Sequence, residues 1–116
     1  MHAQIKQVIE SLQVIRGKMY VRLSAGEQTP LGKLVGRCYY NSNVLEGLTS
    51  EERHGYPHNG GLHTLELICA PLDAIEMLEM IKEACLAKLA LNDEERQVAN
   101  ELSYVSQEIH TLRRKM

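Results

Sequence analysis

Hydrophobic positions recur most regularly at the C-terminal end of the chain. Val98, Leu102, Val105, Ile109 and Leu112 follow one another at spacings of 4, 3, 4 and 3. This is an a/d seam, and it predicts a helix that packs along one or two partners. Asn92 with Glu95 three residues on forms a capping-box start, with Asp93 and Glu94 between them. Arg113, Arg114 and Lys115 fill the last turn, where cations suit the helix dipole. The preceding segment carries a broader apolar face. Leu72, Ile75, Leu78, Ile81, Cys85 and Leu89 form one stripe, widened by Met77, Met80, Ala84, Ala87 and Leu91, as in a central, largely buried helix. Pro71 suits its first turn. The short join at Leu91–Asp93 makes the two segments an antiparallel helical hairpin.

The first half is less regular. Ile5, Val8, Leu12 and Ile15 keep helical spacing, and Met19 extends it. If a helix instead stops near Gly17, then Met19, Val21 and Leu23 alternate with Tyr20, Arg22 and Ser24 as in a strand. Leu65, Leu67 and Cys69 carry the same ambiguity. Thr29-Pro30 is a helix-start signal, and Leu31, Leu34, Cys38, Leu45 and Leu48 can share one helical face. All eight glycines fall within the first 61 residues, so the helix-breaking half precedes the rigid one. Gly32 and Gly36, four apart, would permit a close approach. Residues 51–61, with Tyr56-Pro57 and Asn59-Gly60-Gly61, predict an exposed Gly/His-containing loop. The expected fold class is therefore mainly α: one domain over residues 1–116, a small helical bundle with a C-terminal antiparallel helical hairpin. The alternative is α+β, with short strands near 18–24 and 62–69.

Composition narrows this further. At 116 residues the chain is long enough for one domain, and 44% hydrophobic with 24% charged residues is a globular balance. Neither Trp nor Phe is present, and five tyrosines are the only aromatics, so the core must be aliphatic. The longest apolar run, Leu67 to Leu72, is far short of a bilayer span, and the first residues lack the apolar region of a signal peptide. The sequence thus predicts a cytoplasmic protein with no membrane association.

The net charge is −2, unevenly spread. Residues 1–40 carry +4, residues 41–95 carry −8 and residues 96–116 carry +2, a pattern that can pair within the fold or across a dimer. Nucleic-acid binding by the basic N-terminal region (Arg16, Lys18, Arg22, Lys33, Arg37) is an alternative, disfavoured by the acidic balance and the lack of aromatic platforms.

Candidate chemistry is sparse. Cys38, Cys69 and Cys85 are an odd number without Cys-x-x-Cys spacing, which reads as small buried hydrophobes. His54, His58 and His63 fall within ten residues. Three imidazoles could hold zinc in a metal-binding module or metal-dependent enzyme, although the spacing matches no established signature. Glu76, Glu79 and Glu83 share a helix face without the Glu-x-x-His pairs of a di-iron site, and read as a solvated acidic ridge. No nucleophile-elbow, Walker or dinucleotide-binding motif occurs. The expected function is a small non-catalytic interaction or regulatory protein without a cofactor. It would act through helix-mediated contacts and form a homo-oligomer, most simply a dimer. Val98, Leu102, Val105, Ile109 and Leu112 are its candidate interface, with Tyr39, Tyr40 and Tyr56 as amphipathic contacts.

Overall fold

A computed structural model describes the backbone of residues 1–40, 53–59 and 61–116 and the side chains of residues 1–38 and 61–116. The helices are α1 (Ala3–Glu10), α2 (Pro30–Tyr40), α3 (Pro71–Lys88) and α4 (Asp93–Arg114). They pack with strands β1 (Gln13–Ile15), β2 (Lys18–Gly26), β3 (Arg53–Asn59) and β4 (Leu62–Cys69). The strands form one antiparallel sheet in the order β1-β2-β4-β3. The class is α+β. The chain is mostly helical, as expected, but a sheet packs with the helices, so the mainly α bundle gives way to the α+β alternative, with strands lying where alternation at 18–24 and 62–69 placed them.

Helix α1 ends at Glu10, short of the seam that helical spacing carried through to Met19. Ser11 donates its hydroxyl to the Val8 carbonyl, and the chain reverses through Arg16 and Gly17, with φ of 54° and 80°. Two consecutive positive φ values in a two-residue loop are the signature of a type I′ hairpin. Ile15 and Met19 therefore flank a turn. Met19 is buried and Ile15 exposed.

Strands β2 and β4 pair from Met19–Cys69 to Gly26–Leu62, and their alternation sorts the rungs by face. Met19–Cys69, Val21–Leu67 and Leu23–Leu65 are all buried and point to the helices. The second correction concerns residues 51–61. Arg53–Asn59 is a strand paired with β4, irregular between Tyr56 and Asn59, and Gly61 with φ 79° completes the turn into β4. Pro57, which reads as a loop signal, is tolerated because β3 is an edge strand.

The hairpin of α3 and α4 is present, but the two helices exchange the predicted roles. Helix α4 packs against α1, α2 and α3, and Val98, Ala99, Leu102, Val105 and Ile109 are fully buried. Helix α3 buries Ala74, Met77, Leu78, Ile81 and Cys85 while leaving Leu72 and Met80 exposed. The a/d stripe of α4 is narrow in hydrophobic residues, yet Glu95, Glu101 and Ser106 are buried beside it. Those polar residues hide how central the helix is. The predicted capping box is formed: Asn92 Oδ1 accepts from the Glu95 N–H at 2.8 Å, and Glu95 Oε1 accepts from the Asn92 N–H at 3.3 Å.

Helix α2 begins as Thr29-Pro30 predicts. Thr29 Oγ1 accepts from the Gly32 N–H at 3.1 Å and donates to the Gly26 carbonyl at 2.7 Å. Gly32 and Gly36 then allow the helix to lie directly on the sheet. A Cβ at Gly32 would overlap the Gly26 carbonyl, and one at Gly36 would overlap the His63 ring. Leu45 and Leu48, assigned to the same helical face from sequence, lie outside the described residues. Among the described residues, no helix is long and apolar enough to cross a membrane.

Candidate functional site

The helices cover one face of the sheet, and the other face carries an ordered polar ladder. Moving along β2, Tyr20 is paired with Ile68, Arg22 with Glu66 and Ser24 with Thr64. Arg22 Nε lies 3.5 Å from Glu66 Oε1, and the Ser24 and Thr64 hydroxyls share a hydrogen bond of 2.8 Å. Gln13 of β1 adjoins Tyr20. Residues Ser11, Gln13, Tyr20, Arg22, Glu66 and Ile68 line a shallow depression at this end of the face. Cross-strand pairs of this kind fix register; Thr64 is buried, whereas Arg22 is exposed and Glu66 half-buried.

Of His54, His58 and His63, the side chain described is that of His63. His63 lies in β4, not in a surface loop, and its side chain is only 13% exposed. Its Nδ1 donates to the Gly32 carbonyl at 2.8 Å, and Nε2 stands 4.0 Å from Glu27 Oε2. A carbonyl partner requires the proton on Nδ1. The imidazole thus fastens β4 to the start of α2, in the space that Gly36 leaves open. His54 is the register partner of Glu66, and His63 that of Ala25. Positions 63 and 66 alternate across the pleat, so the backbone sets position 54 in the opposite row from position 63. The side chains of His54 and His58 lie outside the described residues, as do those of Tyr39, Tyr40 and Tyr56. Among the described residues, no three His, Cys, Asp or Glu side chains gather to hold a metal ion.

Several other residues singled out from sequence have structural employment. Val98, Leu102, Val105 and Ile109 are buried inside the single chain, and Leu112 packs at the margin of the same core. Within one chain this stripe meets α1, α2 and α3, so the two terminal helices pack together; a seam reads alike whether its partner is internal or external. Within the basic N-terminal set, Arg22 faces Glu66. Arg37 reaches across to the hairpin join, with Nη1 2.8 Å from the Ala90 carbonyl and 3.2 Å from Glu95 Oε2.

Glu79 belongs to a network, whereas sequence alone made it part of a solvated ridge. Lys82 Nζ is 2.9 Å from Glu79 Oε2 and donates to Ser103 Oγ at 2.9 Å, and Ser103 donates to Glu79 Oε1 at 3.2 Å. Burial alone would raise the Glu79 carboxyl. The hydrogen bond and charge of Lys82, with help from the Ser103 and Ser106 hydroxyls, outweigh it and hold the carboxyl below its ordinary value. Lys82 is raised by its bond to Glu79 against a smaller opposing effect of burial. This polar seam joins α3 to α4, and Ser103 is the member that hydrophobic spacing could not reveal.

Comparison with protein-family models, curated proteins and solved structures finds no match for the chain.

Proposed function

We propose that the chain is a non-catalytic interaction or regulatory protein that binds a second copy of itself through the Tyr20, Arg22, Glu66 and Ile68 end of the sheet face opposite its helices. The observation that carries this reading is the ladder Tyr20–Ile68, Arg22–Glu66, Ser24–Thr64 on the face opposite the helices. Helix-mediated pairing through the α4 stripe gives way to it because that stripe is buried within one chain. The ladder suits self-association. Each copy offers a cation and an anion side by side, at 3.5 Å, so two faces related by a two-fold axis can exchange Arg22–Glu66 contacts reciprocally. Tyr20 and Ile68, both half-buried, supply the apolar contact that sheet-on-sheet packing needs.

The measurement is size-exclusion chromatography with light scattering over a range of concentrations. A concentration-dependent dimer is expected, and Ile68→Asp together with Tyr20→Glu should convert it to monomer while leaving the circular dichroism spectrum unchanged. A strict monomer at every concentration, or a dimer indifferent to both substitutions, overturns the proposal.

A further inference from the structure

Two of the three cysteines, 47 positions apart in sequence, meet in the core. Cys38 lies in the last turns of α2 and Cys85 near the end of α3, and their sulfurs are 3.3 Å apart. Both are buried and both are free thiols. Bonded sulfurs sit about 2.0 Å apart, so closing the gap needs a movement of little more than 1 Å shared between two helices. Simple hydrophobic packing gives no reason for two sulfurs to select each other from a core rich in Leu, Ile and Val. Cys69, in β4, is separately buried on the inner face.

We propose that Cys38 and Cys85 form an oxidation-responsive modification site, in which a peroxide converts the thiol pair to a disulfide that staples α2 to α3. One sulfur, as thiolate, attacks the peroxide O–O bond. That bond breaks, a sulfenic acid forms, and the departing oxygen takes up a proton to leave as water. The second sulfur then displaces the sulfenic hydroxyl, which leaves as water with the second thiol's proton. In sum, two thiols and one hydrogen peroxide give one disulfide and two waters. The protein is oxidised by two electrons and the peroxide reduced by the same two. The hydrogen bond to Cys85, then burial, then the charge of a Cys85 thiolate all push the Cys38 thiol well up. This disfavours the Cys38 thiolate within the sealed core, so oxidation proceeds through brief partings of the two helices.

The test treats the folded chain with hydrogen peroxide, both in buffer and in urea below the unfolding transition. Remaining thiols are alkylated, and the intact mass and non-reduced peptides are measured. The expected product is a monomer lighter by two hydrogen atoms, with a linked peptide pair containing Cys38 and Cys85 and with Cys69 alkylated. Oxidation should be faster in urea and reversed by dithiothreitol. The oxidised form should melt several degrees higher, because the closed loop restricts the unfolded chain. Cys69→Ala should leave the crosslink intact, while Cys38→Ser and Cys85→Ser should abolish it. Should those two variants not fold, the wild-type peptide map still decides. Sulfinic acid at either cysteine, a bridge to Cys69, linkage only between chains, or full alkylation after peroxide in urea each overturns the proposal. An oxidised form that melts no higher overturns the staple.

Discussion

On the helix side of β2 and β4 the rungs Met19–Cys69, Val21–Leu67 and Leu23–Leu65 are apolar and sealed. On the reverse side of the same backbones the rungs are Tyr20–Ile68, Arg22–Glu66 and Ser24–Thr64. Both faces share every backbone hydrogen bond, so their difference isolates what side chains contribute. The inner rungs remove apolar area from water and supply the driving force for docking the helices. The outer Arg22–Glu66 rung contributes little to stability, since an exposed ion pair is worth at most about 1 kcal/mol. Its contribution is to geometry: a slip of one residue would bring Arg22 and Glu66 onto the core face.

The largest effect should therefore come from truncating an inner rung. Leu67→Ala is expected to lower unfolding stability by about 2–5 kcal/mol in urea denaturation. Arg22→Ala on the outer face should change it by less than about 1 kcal/mol. Equal losses from the two would break the contrast between the faces. An intermediate effect is expected where the inner face receives α2. Gly32→Ala drives a methyl against the Gly26 carbonyl, and the resulting shift should cost about 1–3 kcal/mol. Gly36→Ala meets the His63 ring, a side chain that can swing aside at the loss of its bond to Gly32, and should cost less.

The smallest effect lies in the polar seam between α3 and α4. Because the Glu79 carboxyl is lowered in the folded chain, its stabilisation is present above the ordinary value of 4.5 and fades as pH falls through the lowered one. Lys82, being raised, contributes below 10.5 and loses that contribution only as alkaline pH passes its raised value. Glu79→Gln should flatten the acid limb of a plot of Tm against pH by less than about 1 kcal/mol equivalent, given the exposure of the pair.

Much of this fold is legible in the sequence, for reasons that differ between elements. The Asn92–Glu95 box and the Thr29-Pro30 start are local chemistry, satisfied within one helical turn, and the structure forms both. The C-terminal hairpin follows from two long periodic segments and a short join. The strands at 18–24 and 62–69 are only half legible, because a short apolar alternation fits a helix edge as well as a pleat until a partner strand exists. What settles the first is Gly17 with Arg16, whose positive φ values reverse the chain. Strand β3 is the least legible. His, Gly, Tyr and Pro give it little intrinsic preference, and its order comes from pairing with β4.

The candidate sites divide the same way. The cysteines were readable as buried, yet that Cys38 meets Cys85 depends on how α2 crosses α3. His63 was readable as a polar group and not as a fastening, because its acceptor is a backbone carbonyl 31 positions away. The α4 stripe was readable as a seam, but spacing says nothing about whose helix fills it.

The reach of Arg37 bears on how independent the C-terminal hairpin is. A helical hairpin with a capped second helix looks like a unit that could form early and alone, as local contacts close quickly. Here the join between its helices is held by a guanidinium from α2, at the Ala90 carbonyl and the Glu95 carboxylate, 53 positions from the former. The turn of the hairpin thus carries a tether from a distant part of the chain beside its own Asn92–Glu95 cap. What looks like the most self-sufficient piece of the molecule is coupled through α2 to the sheet.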